Sequence, residues 1–264
     1  MDNRVVMILV DGMRPDFVVG SNNPYVGEFL AGSAYTMEGR TVMPSVTLPC
    51  HSSLFFSVPA ERHGILTNTW APQVRPVRGL AETLSGAGKK CAFVYDWGPL
   101  RDLARPEDLS YSYFINGYTV GFENTLPLNT ERAVELLAGG APDFMFVYMG
   151  MPDSRGHGFG FTTPEYAEAV SLCWDAIRAI TEAAAAQQQQ GYGVVVLADH
   201  GGHGRMHGED IPEDMTIPII LHGDIFKNAD IGPGANIMDV APTIAEAMGV
   251  APDAEWEGRS MYRP

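Results

Sequence analysis

Short, uninterrupted apolar runs recur along the chain at residues 5–10, 91–95, 144–149, 194–198 and 217–221. Polar and apolar positions do not alternate within them. They therefore predict strands covered on both faces, as in a mostly parallel sheet. Between these runs the apolar spacing becomes helical. Residues 163–186 place Tyr166, Val170, Cys173, Trp174, Ile177 and Ile180 near helical spacing, with Thr163-Pro164 as N-cap and first-turn proline. Shorter helices are expected at 129–137, 77–85 and 238–248. Strand alternating with helix predicts an α/β fold, doubly wound, with a mostly parallel sheet sandwiched by helices.

A chain of 264 residues suits one large domain over residues 1–264. Residues 97–128, rich in aromatics and turn formers but weakly periodic, are expected to form a small insertion or lid. Trp97, Tyr111, Tyr113 and Tyr118 within it are candidates to line a pocket. The glutamines at 187–190 read as a solvated helix end. With 45% hydrophobic and 19% charged residues, the chain can build a sizeable core. Its net charge of −15 argues against a nucleic-acid scaffold, because a polyanion would be repelled. Cys50, Cys91 and Cys173 show no paired spacing, which fits a reducing compartment. No apolar run has transmembrane length and no signal-peptide pattern opens the chain, so the expectation is a cytoplasmic enzyme without membrane contact.

Charge changes the picture where acids and histidines follow the predicted strands. Asp11 ends the first, in VVMILVDGMRPD, and Asp16 further on is placed at a helix start. Asp153 and His157 follow the third run in DSRGH, where Gly156 is expected to let a loop fold back. Asp199-His200 closes VVVLA and is trailed by glycines. His203 and His207 compete for one further ligand position, whereas His51, His63 and His222 read as ordinary polar contacts. Carboxylates and imidazoles at the carboxyl ends of buried strands converge in space, and such donors bind divalent metals. Thr47 lies before Leu48-Pro49 at a plausible helix start. As N-cap it would sit where free amides favour an anionic oxygen, and beside a cation its hydroxyl becomes a nucleophile. Ser45 is its rival. The pattern suggests a two-metal hydrolase.

In this order the blocks DGMRPD (11–16), PSVTLPCH (44–51), ERHGILTN (61–68), DSRGH (153–157) and ADHGGHGRMHG (198–208) resemble the alkaline phosphatase superfamily. The branch they resemble most is the type I phosphodiesterase/nucleotide pyrophosphatase family. The resemblance implies an alkaline phosphatase-like fold and a nucleophile at Thr47. It implies one metal ion held by Asp153, His157 and His207, and a second by Asp11, Asp199, His200 and Thr47. Two divalent ions are thus expected, zinc first and manganese as the alternative. The family's His-Gly ahead of a proline-containing strand favours His207-Gly208 over His203. Its asparagine falls on Asn68, which, with the amides after Thr47, would bind phosphate oxygens. Two departures stand out: Cys50 replaces the usual asparagine, and Val46 replaces a basic residue.

The implied activity is phosphodiester or nucleotide pyrophosphate cleavage of a small-molecule substrate through a phospho-threonine. The alternatives are a phosphomonoesterase, a phosphomutase and a non-catalytic metal-binding domain.

Overall fold

The computed structural model of the protein describes residues 3–140, 142–187 and 191–264. The last three glutamines of the 187–190 tract lie outside the described residues. Seven strands form one sheet: β1 (Arg4–Val10), β2 (Ser33–Arg40), β3 (Cys91–Tyr95), β4 (Tyr111–Phe114), β5 (Phe144–Met149), β6 (Tyr192–Leu197) and β7 (Thr216–His222). Their spatial order is β2-β7-β6-β1-β5-β3-β4. β7 runs antiparallel to both neighbours, and all other pairs are parallel.

The five apolar runs are the five inner strands. β3 and β5 are buried at every position, as both faces are covered by helices. The helix Pro164–Ala185 turns Tyr166, Val170, Cys173, Trp174, Ile177 and Ile180 into the core, and the Thr163 side chain accepts from the Tyr166 N–H at its start. Helices Leu80–Gly86 and Val240–Ala247 fall within or beside their expected spans, the latter preceded by a 3-10 turn. The helix expected at 129–137 begins earlier and spans Phe122–Ala138, taking Pro127 into its interior.

Two strands escape the apolar pattern. β2 and β4 are edge strands with one neighbour each, and their side chains are largely half-buried or exposed. With one edge in solvent, neither needs the continuous apolar run that marks an inner strand. β4 lies inside 97–128, which also holds two 3-10 turns, the short helix Gly117–Val120 and the start of Phe122–Ala138. Part of this stretch therefore completes the sheet. No helix among the described residues is long and apolar enough to cross a membrane.

The geometry that matters for function is simple. β6, β1 and β5 lie side by side and parallel, so the residues that follow them emerge at one end of the sheet.

Candidate active site

Asp11 follows β1, Asp199 and His200 follow β6, and Asp153 and His157 follow β5. The last two are carried by a helix, Met151–Phe159, and not by a loop turned back at Gly156. One helical turn puts both on one face, with His157 Nε2 3.4 Å from Asp153 Oδ1. Gly156 serves a different purpose: a Cβ there would lie 2.5 Å from the Phe161 ring. Gly12 and Gly202 also face that ring, at 3.0 and 2.5 Å for their added Cβ atoms. Phe161 thus packs against all three segments that bear the acids and His200.

Thr47 is the first residue of the helix Thr47–Phe56, and the N-cap is Val46. Val46 holds the extended backbone of a cap, so the helix starts one residue earlier than the sequence suggests. The Thr47 hydroxyl is consequently free of capping and lies 3.3 Å from His200 Nε2. The Leu48 N–H, expected to face a phosphate, instead donates to Asn68 Oδ1 at 2.9 Å. That bond leaves the Asn68 amide NH2 as its free donor.

The electrostatics of the cluster follow from what its atoms lack. Three imidazoles hold a backbone carbonyl with Nδ1: His200 with Gly201 at 2.8 Å, His207 with Ser45 at 2.9 Å and His157 with Arg205 at 2.9 Å. A carbonyl oxygen only accepts, so each Nδ1 carries a hydrogen and the neutral ring turns a lone pair on Nε2 towards the cluster. Burial pushes His200 down to about 4 and His207 down to about 3, keeping both neutral. Their lone pairs face carboxylate oxygens: His200 Nε2 lies 3.3 Å from both Asp11 Oδ1 and Asp199 Oδ2, and His207 Nε2 lies 3.6 Å from Asp153 Oδ1.

Those same three oxygens are buried without a hydrogen-bond partner. The other oxygens are satisfied. Asp199 Oδ1 accepts from the Gly12 and His200 N–H groups, at 3.1 and 3.0 Å, and Asp11 Oδ2 accepts from the Tyr148 hydroxyl. Lone pairs pointing at buried carboxylate oxygens need positive charge between them. Asp153, His200 and His207 form one group of donor atoms within 4.8 Å of one another, and Asp11, Asp199 and His200 form a second. Imidazole and carboxylate donors of this kind fit divalent cations. His157 lies at the outer side, its Nε2 in reach of Asp153 alone among the acids. His203 turns away and pairs with Asp214.

Without cations the three acids disfavour one another. Burial, then repulsion by Asp199 and Asp153, raises Asp11 well above the usual range. Burial raises Asp199 and pushes Asp153 up to about 7. A carboxyl raised in the folded chain contributes stability that is present below its unfolded pKa and lost as pH rises through the folded value. The depressed imidazoles act oppositely, but their contribution is complete above about pH 6.5, the unfolded histidine value. Metal-free protein should therefore melt at a lower temperature at about pH 8.5 than at about pH 7. Zinc should flatten that slope by favouring the ionised carboxylates. Melting curves in chelator and in zinc test this, and a chelated melting temperature that climbs over the same interval contradicts it.

The cluster opens into a cleft of about 150 Å³ lined by Asp11, Thr47, Asn68, Trp97, Tyr118, Phe122, Tyr148, Gly150, Asp153, Ser154, His157 and His207. Trp97 and Tyr118 reach it, while Tyr111 and Tyr113 lie in β4. Neither lysine nor arginine lines it. Arg14 binds Asp16 and the Gly202 carbonyl, and Arg62 binds Glu255 and the Arg75 carbonyl. Sequence reasoning missed Tyr148, although a lone hydroxyl in the apolar run FMFVYM was a visible signal. It also underrated His51, fully buried with Nδ1 2.8 Å from the Thr47 carbonyl oxygen and 3.5 Å from Asp199 Oδ2.

Comparison with known proteins bears on the fold and the family. The chain is 26% identical over 265 residues to the human GPI ethanolamine phosphate transferase 2 catalytic subunit, covering 94% of this chain and 26% of that protein. It is 32% identical over 141 residues to a 2,3-bisphosphoglycerate-independent phosphoglycerate mutase of Caenorhabditis elegans, covering 50% of this chain and 25% of that protein. The chain thus spans about a quarter of the length of these curated relatives. Among solved structures, murine ectonucleotide pyrophosphatase / phosphodiesterase 5, an inactive variant in complex with AMP, superposes with a TM-score of 0.78 at 14% identity, covering 99% of this chain and 100% of that one. A Bacteroides thetaiotaomicron structure described as a putative sulfatase gives a TM-score of 0.79 at 14% identity, covering 99% and 74%. These superpositions establish the alkaline phosphatase-like α/β fold. A profile of one family, type I phosphodiesterase / nucleotide pyrophosphatase, matches residues 5–211. That match takes in most of the sheet and every side chain of the cluster, and so the chain belongs to the type I phosphodiesterase / nucleotide pyrophosphatase family.

Proposed function

We propose that the protein is a metal-dependent phosphoester hydrolase that cleaves phosphodiesters or nucleotide pyrophosphates through Thr47. The observation that carries this reading is the orphaning of Asp11 Oδ1, Asp153 Oδ1 and Asp199 Oδ2 beside imidazole lone pairs, with Asp11 and Asp153 lining a cleft that Thr47 also lines. Asp11, Asp199 and His200, with Thr47, would hold one divalent ion, and Asp153, His157 and His207 a second. Zinc suits these donors, with manganese as the alternative. Bound there, the ions supply Lewis acidity, lowering the hydroxyl pKa and neutralising charge on phosphoryl oxygens.

The chain's own groups do the rest. Thr47 Oγ1, having released its proton to solvent, attacks phosphorus as the bond to the leaving alcohol oxygen breaks on the opposite side. The Asn68 NH2 donates to a phosphoryl oxygen, while the Leu48 N–H fixes the orientation of its amide. Water then attacks the threonyl phosphate in line, the bond to Oγ1 breaks, and the hydroxyl is restored. Tyr148 and the Gly12 and His200 amides hold the oxygens of Asp11 and Asp199 that do not face the cluster.

Charge supports a diester over a monoester. A monoester dianion calls for cationic side chains beyond the ions, and none lines the cleft. Aromatic Trp97, Tyr118 and Phe122 instead offer an apolar wall for a second organic arm. The deciding experiment compares bis-p-nitrophenyl phosphate with p-nitrophenyl phosphate on zinc- and manganese-loaded protein. The diester should give the higher kcat/KM; a monoester preference overturns that choice, and activity that survives chelation overturns the whole reading.

A second reading is favoured by the relative that matches over 94% of this chain, a phosphate transferase by name. In it the threonyl phosphate passes to an alcohol and not to water. With a diester substrate, added glycerol or ethanolamine would then divert product from the phosphomonoester to a new diester.

A further inference from the structure

The loop from His200 to Glu209 supplies two of the imidazoles and, through the Arg205 carbonyl, orients the third. It contains Gly201, Gly202, Gly204 and Gly208, so its backbone is costly to order. Asp214 touches both ends of it. Its backbone carbonyl accepts from Gly201 N–H at 2.8 Å, immediately after His200. Its carboxylate accepts from His203 Nδ1 at 2.8 Å through Oδ1, and from Glu209 N–H at 2.9 Å through Oδ2, two residues beyond His207. The side chain is fully buried, with neither lysine nor arginine among its hydrogen-bond partners. A buried carboxylate with such a partner set is conspicuous, since burial without a strong counter-charge is unfavourable. Its counter-charge is His203, raised chiefly by this hydrogen bond. His203 also closes the tip of the loop, exchanging two backbone hydrogen bonds of 2.9 Å with Met206.

We infer that Asp214, with His203, is a positioning pair that fixes the His200–Glu209 loop so that His200 and His207 present Nε2 to a common pair of cations. The inference rests on the metal-dependent reading above. Neither residue lines the cleft or bears a donor of the cluster, so both act through the loop. Without the carboxylate, His203 and the Glu209 amide lose their shared anchor. Each imidazole would keep its own carbonyl partner but lose its distance from the others.

The test uses cobalt(II) alone, titrated into the metal-free protein and read by affinity and by the visible absorption band of the bound ion. In Asp214→Asn, which retains shape but not charge, affinity should fall by at least about tenfold and the band should shift. His203→Gln should fall between wild type and Asp214→Asn. Far-ultraviolet circular dichroism of the metal-free proteins controls for folding. Wild-type affinity and spectrum in a folded Asp214→Asn overturn the inference. Should that variant fail to fold, His203→Gln decides alone, and wild-type cobalt binding by it has the same consequence. A wild-type protein that binds no cobalt would instead defeat the metal-dependent reading itself.

Discussion

Replacing Thr47 by alanine should lower phosphodiester turnover on the order of 10⁴-fold or more, as removal of a nucleophile does elsewhere. Metal content and melting temperature should barely change. That separation follows from the cap geometry. The hydroxyl makes no bond to the helix amides, so its removal deletes no cap, and Asp11, Asp199 and His200 retain their donors. Thr47→Ser should recover part of the rate, because it restores the oxygen without the methyl group. Kinetics on metal-assayed protein check this, and wild-type turnover in Thr47→Ala would remove the nucleophile from the proposal. Loss of activity together with loss of metal would be equally unfavourable, since Thr47 would then be a structural ligand and nothing more.

The second large effect has opposite signs in the two states of the protein. Asp199→Asn should abolish most activity, on the order of 10²-fold or more, by removing a charged donor. In metal-free protein the same change should stabilise the fold by about 1–2 kcal/mol. The asparagine oxygen can keep both amide hydrogen bonds, from Gly12 and His200, while its NH2 meets the His200 Nε2 lone pair now 3.3 Å from a carboxylate oxygen. At this chain length such a gain corresponds to a rise of about 2–8 °C in melting temperature. Melting in chelator and turnover with added zinc measure the two halves. A chelated variant that melts below wild type would mean that the acids are not in conflict in the folded chain, and the argument for cations between them would fail.

Much of this was legible from residues alone. Inner strands must be apolar on both faces, so β1, β3, β5, β6 and β7 announce themselves as runs, and the acids and imidazoles at their ends stand out against them. Edge strands escape that rule. SAYTMEGR and YSYF have one hydrogen-bonded neighbour each, and nothing periodic separates them from loops. The helix bearing Asp153 and His157 was hidden for a related reason. MPDSRGHGF has almost no apolar stripe and two interior glycines, and its helical form depends on packing, including Phe161 in the space at Gly156.

The sequence by itself determined the alternation of strand and helix, the five buried strands and the chemistry gathered where they end. Those follow from local periodicity, which each segment carries within itself. Tertiary structure decided which of two nearby histidines turns inward, that Tyr148 and His51 back the acids, and that the Leu48 amide already has a partner. Each of those outcomes is a contact between segments distant along the chain, such as His207 with Ser45 and Asp214 with His203. Hydrogen bonding and burial select such contacts only once the sheet has brought the segments together.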